Sequence, residues 1–357
     1  VPTFDIVRKS EFDRTFRTET IISKFDLSIE NVTETFNGNI ELDFDWQIGL
    51  IVGNSGTGKS TIAKELFAEN YFKGYEYKEK SVIDDFDKSI SITEILKVFN
   101  SVGFNTVWSY LKPYEVLSNG EKMRVDLARA ILDKKDVIVF DEFTSVVDRT
   151  VAQIGSAAVA KAIRKTDKKF IAVTCHNDVY EWLEPDWVFN TNEMKFTKTR
   201  GLVRRPQINL EIHKVKGFWH LFQKYHYLNH EINNAGIEYV GFYKDEPIAF
   251  QSILHFPHQR VKNFKKSHRL VVMPEYQGIG IGSRFQRAIA DEYLENGYRF
   301  IETTTTPALI ESRRNSRSWT LTGAYFNRST TKKGKMFNRP VNKRLCTSWE
   351  YVGSNNA

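Results

Sequence analysis

The stretch GNSGTGKS, residues 53–60, constrains this chain's architecture more than any other. It lies between an apolar run, IGLIV, and a helical pattern, STIAKELFAEN, and fits G-x-x-x-x-G-K-S. A strand must stop, turn through backbone conformations that glycine adopts freely, and start a helix whose first N–H groups point back at the strand end. That geometry cradles a polyphosphate such as that of ATP. Gly53, Asn54, Ser55, Gly56, Thr57 and Gly58 form the loop, Lys59 reaches the β- and γ-phosphates, Ser60 offers its hydroxyl to Mg²⁺, and Thr61 follows in the first helical turn. Such a loop requires a buried, mostly parallel sheet. The runs IGLIVG, DVIVFDEF and KFIAVTCH, alternating with helical patterns such as GEKMRVDLARAIL, supply an α/β signature.

A second glycine loop, MPEYQGIGIGSRF, spans residues 273–285. Gln277, Gly278, Gly280 and Gly282, with Ile279 and Ile281 between them, join the strand pattern RLVVM to a helix expected from Ser283 to Glu295 and ended by Gly297. Consecutive N–H groups at this helix start again suit a pyrophosphate. A dinucleotide fold would need a βαβ unit with an acidic residue ending the next strand. Here the preceding elements are a helical stretch, FWHLFQKYHYL, and a hairpin, IEYVGFYKDEPIAFQSILHF, about a Lys-Asp-Glu-Pro turn; RFIETTT follows as a strand.

Two phosphate devices in 357 residues imply two domains, here 1–196 and 208–357. The basic stretch TKTRGLVRRPQ, residues 197–207, reads as the linker. No run of 18 uncharged apolar residues is present, the N-terminus lacks a signal core, and the only cysteines are Cys175 and Cys346. The expectation is a soluble, cytoplasmic protein in a reducing compartment, with no membrane partner. Residues 201–357 hold 24 Lys and Arg against 12 Asp and Glu, a net charge of +12, whereas residues 1–200 carry −5. A polyanionic partner, nucleic acid, is expected for the second half.

Further motifs then fall in order: LSNGEKMRVDLARAIL from Leu117, DVIVFDEFTSVVD from Asp136, and VTCH ending at His176. With the first loop they resemble the ABC ATPases, as signature, acidic strand end, D-loop and switch histidine, over about residues 20–190. The resemblance implies that Asp141, with Ser60, holds Mg²⁺ and that Glu142 orients or deprotonates the attacking water. Asp148 would lie across a dimer axis and His176 would contact the γ-phosphate. Ser118, Gly120 and Glu121 would contact the γ-phosphate of ATP held by a second copy, hence a homodimer. The chain departs from the pattern where Asp84 or Asp85 stands in place of the usual glutamine, and Asn119 in place of a glycine. Phe25 and Phe36 are the candidates for stacking on the nucleotide base.

The second loop resembles motif A of the GNAT acyltransferases, an α+β fold, over about residues 210–330. Gln277, Gly280 and Gly282 occupy its defined positions, and LTGAYF stands where the family has a Gly-Phe turn. The resemblance implies acetyl-CoA, or another acyl-CoA, with its pyrophosphate on the loop and its pantetheine arm along Val271, Val272 and Met273. Acyl transfer to an amine needs a base, and Glu302 is the most plausible carboxylate. Tyr225, His226, Tyr227, His230, His255 and His258 are further candidates, with a histidine metal site as a lesser option. Arg313, Arg314 and Arg317 form either a solvated helix face or a phosphate-binding ridge. The combined expectation is an ATP-hydrolysing, CoA-dependent N-acyltransferase modifying a DNA or RNA base. A protein or small-amine acceptor, and a non-catalytic ATP-switched binding module, are the alternatives.

Overall fold

A computed structural model describes residues 3–9, 13–27, 33–72, 74–226, 231–257, 263–327 and 344–353. In chain order the first elements are β1 (Thr3–Lys9), α1 (Phe16–Phe25), β2 (Thr33–Asn39), β3 (Ile48–Val52), α2 (Lys59–Phe67), α3 (Ile92–Ser101) and α4 (Asn119–Leu132). There follow β4 (Val137–Phe140), α5 (Arg149–Ile163), β5 (Lys169–Thr174), α6 (Tyr180–Leu183), β6 (Trp187–Asn190) and β7 (Lys195–Lys198). Then come β8 (Glu211–Lys214), α7 (Trp219–Phe222), β9 (Ile237–Tyr243), β10 (Glu246–His255), β11 (Phe264–Val272) and α8 (Ile281–Glu295). The last are β12 (Arg299–Thr304), α9 (Pro307–Arg314), β13 (Trp319–Asn327) and β14 (Arg344–Tyr351).

The chain folds into two compact units, Val1–Glu76 with Arg129–Pro206, and Tyr77–Ala128 with Gln207–Ala357. The segment 77–128 thus groups with the C-terminal residues.

The first unit is built on a sheet ordered β4-β5-β3-β6-β7, parallel except for the β6–β7 pair. All five residues of β3 are buried, as a continuous apolar run between two layers demands. An antiparallel β1–β2 ribbon contributes Phe4 and Phe36 to the same core as Ile51, Val139 and Phe189. Asp186 anchors the entry of β3. Its carboxylate accepts N–H groups from Gln47 (2.7 Å) and Ile48 (2.9 Å) and a bidentate pair from Arg164 at 2.6 and 2.8 Å.

In the second unit a seven-stranded sheet is ordered β13-β14-β12-β11-β10-β9-β8. The β9–β10 hairpin turns on Lys244 and Asp245, both left-handed at φ +50° and +64°, as a tight two-residue hairpin requires. All neighbours pair antiparallel except β11 with β12. Those two strands are parallel over only three residue pairs, Phe264↔Arg299 to Lys266↔Ile301, beyond which no pairing continues. LTGAYF lies inside β13, with an irregularity in register between Leu321 and Gly323, and is therefore strand rather than a turn.

Burial raises the proton affinity of Asp186, but Arg164 and the two backbone donors outweigh it and hold the carboxyl below its ordinary range. Its contribution to stability is therefore present above the unfolded carboxyl pKa and is lost as pH falls through the lower folded value. Asp186→Ala leaves the donors unanswered and should cost about 3 kcal/mol at neutral pH, with a smaller difference from the parent near pH 3. Urea unfolding followed by fluorescence of the Trp46–Trp187 pair, whose rings lie 5.5 Å apart, reads this directly.

Candidate nucleotide and acyl-transfer sites

The first loop is fastened by its side chains. Gly56 and Gly58 take φ of +83° and +80°, and Gly58 is the N-cap of α2. A Cβ on Gly53 would lie 2.2 Å from Thr191 Oγ1, and one on Gly58 would lie 2.5 Å from the Phe36 ring. Thr57 hydrogen-bonds the Asn54 carbonyl (2.8 Å) and the Thr191 hydroxyl (2.5 Å), while Asn54 N donates to the Asn192 side chain. Lys59, 9% exposed, donates to the Asn54 carbonyl at 2.6 Å, so its cation is held over the loop. These donors fit a polyphosphate. Phe36, seated on Gly58 within the core, offers no stacking face to a base; Phe25 is exposed.

Ser60 and Asp141 are brought together by a residue that the motifs do not contain. The Tyr71 hydroxyl donates to Asp141 Oδ2, and the Ser60 hydroxyl faces the phenol oxygen and lowers its proton affinity. Burial first, and Asp141 next, push this phenol well above its ordinary pKa, so it remains a donor. Tyr71 forms a one-residue parallel bridge to Val139 beside β4, and Phe72 N donates to the Val139 carbonyl at 2.8 Å. Asp85, one candidate for the glutamine's replacement, instead accepts the N–H groups of Lys78 and Glu79. Tyr71 is the residue that reaches the Ser60–Asp141 pair. Oxygen donors of this kind suit Mg²⁺ when phosphate oxygens complete the shell. Among the described residues no group of three or more His, Cys, Asp or Glu side chains is placed to hold a metal alone.

Glu142, exposed, is left-handed at φ +53°, and its carboxylate accepts the Ser145 hydroxyl at 2.5 Å. His176 lies within electrostatic reach of Glu142. Burial, then Arg149, lower its pKa against the opposing pull of Asp178 and Glu142, and among the described residues its Nδ1 has no hydrogen-bond partner. The imidazole is therefore neutral near pH 7. Asp148 caps α5 by accepting Val151 N at 3.0 Å. At the start of α4, Ser118 and Glu121 form a reciprocal cap. Ser118 N donates to Glu121 Oε2 (3.0 Å) and Glu121 N to Ser118 Oγ (3.3 Å), while Ser109 donates to Glu121 Oε1 (2.6 Å). The Glu121 carboxylate is thus committed to the helix start, while Ser118 is exposed and Gly120 half-buried.

The second loop repeats the first device. Gly278 and Gly280 take φ of +93° and +94°, and Gly280 is the N-cap of α8, followed by Ile281 and Gly282. Gln277 turns its amide back to donate to the Val272 carbonyl at 2.8 Å, and Met273 N donates to Ile248 O at 2.9 Å. Val271 packs inward with Trp219 and Phe250. A pyrophosphate fits the N–H groups of such a helix start, with an arm alongside the strand that leads into it.

Where β11 and β12 part, side chains replace the ladder. Gln286 of α8 donates to Ser267 Oγ and to Glu302 Oε1, both at 3.1 Å. Arg313 Nε donates to Glu302 Oε2 at 2.8 Å, and Arg313 also donates to Gln286. Arg313 is 1% exposed and its ring of nitrogens stacks on Trp319, so it belongs to neither a solvated face nor a phosphate ridge; burial in this pairing is the reason. Arg314 and Arg317 are exposed. Glu302, 4% exposed and bonded to two α-helical partners, has the environment of a fixed structural carboxylate, not of an open proton acceptor.

His268 was not conspicuous in the sequence. In the β10–β11 pairing Ser252 faces Arg269 and Ile253 faces Ser267, which leaves His268 as the extra, bulged residue. It lies two residues past the last β11–β12 pair, at the mouth of the split. Burial, then Arg269 and Lys266, lower its pKa, and its buried Nδ1 has no partner among the described residues. Of the other candidates, His226 is buried against Trp219, Tyr225 follows α7, and His255 ends β10. Tyr227, His230 and His258 lie outside the described residues.

Residues 176–314 match the acetyltransferase (GNAT) family. The N-terminal half is similar to the zinc import ATP-binding protein ZnuC of Histophilus somni, 30% identical over 175 residues, 43% of this chain and 60% of that protein. It is also similar to the lipoprotein-releasing system ATP-binding protein LolD of Rickettsia prowazekii, 26% identical over 164 residues, 36% of this chain and 73% of that protein. A dimeric ATP-binding cassette in a post-hydrolysis state, bound to ADP and phosphate, aligns with 47% of this chain and 93% of its own, at 17% identity and a TM-score of 0.37. The chain spans 60% and 52% of the first two curated relatives it matches.

Replacing Tyr71 with Phe removes the hydroxyl that donates to Asp141 and faces Ser60, while keeping the ring. The Mg²⁺ concentration needed for half-maximal ATP hydrolysis should rise about 10- to 100-fold, the usual effect of losing an outer-shell partner. ATPase rates titrated with Mg²⁺ test this, and an unchanged requirement would reduce Tyr71 to packing.

Proposed function

Because the chain joins an ABC-type ATPase cassette to a GNAT-family domain, we propose that it is an ATP-hydrolysing, CoA-dependent N-acyltransferase acting on a nucleic acid base. The observation that carries the acyl-transfer reading is the divergence of β11 from β12 beside the Gly280-capped loop, with His268 bulged at the opening. The acceptor reading is carried by the net charge of +12 over residues 201–357, half of which lies in 328–343, outside the described residues.

In the first unit, Lys59 offsets phosphate charge, and Ser60 and Asp141 hold Mg²⁺. Glu142 orients and deprotonates the attacking water, and the neutral His176 hydrogen-bonds the γ-phosphate. Ser118 and Gly120 of a second copy complete the site through the exposed start of α4, which Glu121 holds in place as its cap, so the working form is a homodimer. In the second unit, acyl-CoA supplies the thioester to be attacked. The backbone N–H groups from Gly278 to Gly282 receive the pyrophosphate, behind the turn that Gln277 closes, and the strand end Val271, Val272 and Met273 lies alongside the arm. As the acceptor nitrogen bonds the acyl carbon and the thioester C–S bond breaks, His268 accepts the proton the nitrogen loses, its neutral form favoured by burial, Arg269 and Lys266. CoA leaves as a thiolate that takes a proton from solvent. Glu302 holds the frame through Arg313 and Gln286.

His268→Gln should lower the rate of acetyl transfer about 10²- to 10⁴-fold while CoA affinity is kept. In the parent, kcat/KM should stay level to below the ordinary histidine pKa of about 6.5 and fall as pH drops through the lowered value. Gly280→Glu, by contrast, should abolish CoA binding in a calorimetric titration, and acyl transfer with it, because a carboxylate then faces the pyrophosphate.

Binding to the acceptor should be electrostatic. With about five phosphate contacts, the log–log salt slope is near −4.5 on duplex DNA and near −3.5 on a single strand. Arg314→Gln together with Arg317→Gln should flatten it by up to about 1.8 and weaken binding alike across sequences. Fluorescence anisotropy with duplex DNA, single-stranded DNA and tRNA measures the slope. Binding weaker than ~10⁻⁴ M at low salt would transfer the acceptor role to a protein or small amine. Tight nucleic-acid binding without acetyl-CoA turnover would leave an ATP-switched binding module.

A further inference from the structure

The helix that carries the signature residues also carries a buried cation. Arg124 lies on α4, three residues after Glu121, and is 3% exposed. Its Nη1 donates to the carbonyls of Gly103 (2.9 Å) and Pro274, and its Nη2 donates to the carbonyl of Glu275 at 3.2 Å. These are backbone oxygens, not carboxylates. Burial pushes the guanidinium pKa down to about 10, which leaves it charged at neutral pH, and a buried charge persists only where such dipoles answer it.

The acceptors matter because of where they lie. Pro274 and Glu275 form the short turn between β11 and Gln277, the entry to the second loop. The same turn is held from its other side by Tyr276, whose buried ring sends its hydroxyl to Glu246 at 3.1 Å. Gly103, just after α3, takes φ +82°, and a Cβ there would lie 2.7 Å from the Gln277 carbonyl oxygen. All these residues belong to one compact unit, Tyr77–Ala128 with Gln207–Ala357. A segment lying between two motifs of the ATPase therefore forms part of the support of the other phosphate loop.

We propose that Arg124 is a positioning residue for the CoA loop, through which engagement of the Ser118–Glu121 helix start by ATP changes the affinity of that loop for CoA. The inference rests on the CoA reading of the second loop. A shift of α4 large enough to alter Ser118–Glu121 must either carry the Pro274–Glu275 turn with it or break its bonds to Arg124. By linkage, CoA changes ATP-dependent association by the same factor.

The experiment is a calorimetric titration of CoA into the full chain carrying Glu142→Gln, with and without ATP and Mg²⁺. ATP should change the CoA Kd by roughly 5- to 150-fold, the range of typical couplings. Adding Arg124→Lys, which keeps the charge but cannot span three carbonyls, should bring the ratio of the two Kd values close to 1. Gly103→Ala, which crowds Gln277 and strains the backbone that offers Arg124 one of its three carbonyls while keeping the arginine itself, is the second variant and should reduce the ratio as well. Each variant is accepted only if its thermal melt and ATP binding match the Glu142→Gln parent, so a folding defect cannot imitate uncoupling. Equal CoA affinity with and without ATP in the Glu142→Gln chain overturns the inference and leaves the CoA reading intact. A ratio that survives both substitutions overturns the role of Arg124. Absence of any CoA binding overturns the CoA reading itself, and this inference with it.

Discussion

Both loops depend on one backbone constraint, a left-handed residue at the point where strand gives way to helix. Gly58 and Gly280 each serve as N-cap at positive φ, which turns the first N–H groups of α2 and α8 outward together. An L-residue there would cost roughly 1–2 kcal/mol in backbone strain. At Gly58 its side chain would also meet Phe36, so the β1–β2 ribbon closes over the loop only because that position is bare. The surrounding contacts fix the strand ends that feed these turns. Asp186 pins the entry to β3 and Thr191 its exit, while Gln277 and Tyr276 tie down the exit from β11.

The split between β11 and β12 has a physical cost, and the side chains around it offset that cost. When parallel pairing stops after Lys266 and Ile301, backbone groups lose their ladder partners in the middle of a sheet. Gln286 spans the gap by donating to Ser267 on one strand and Glu302 on the other, and Arg313 then satisfies the carboxylate. The network draws on α8, α9 and both strands, so the opening is held at a fixed width. A half-satisfied version would be worse than an apolar one, which is why Glu302 and Arg313 make sense only as a pair.

The features legible in the sequence were those set by local chemistry. The two glycine loops, the buried strands flanking them and the turn at Lys244–Asp245 all follow from residues within a few positions of one another. Those that escaped depend on contacts far apart in the chain. Tyr71 meets Asp141 across 70 positions, Arg124 meets Pro274 across 150, and neither leaves a periodic trace. Arg313 read as either a solvated face or a phosphate ridge because SRRNSR is polar throughout, yet one of its three arginines faces inward to a carboxylate on another element. His268 was hidden for a different reason. Alternation along β11 gives no sign of the bulge, which arises only from its pairing with β10.

In the proposed function a thioester already has the free energy to acylate an amine, so ATP would act on conformation rather than on the transfer itself. A nucleotide can bias an equilibrium only by the difference in its affinity for the two states. The bias must then pass through an element with discrete arrangements, since packed interiors resist continuous deformation. A capped helix with a buried cation bonded to three carbonyls has that character, because its hydrogen bonds are either made or lost. An apolar contact in the same place would be non-directional and would single out no one hydrogen-bonded position of α4. A guanidinium there penalises every intermediate position by leaving a charge without its dipoles, and so converts a small displacement of the helix into a choice between two states.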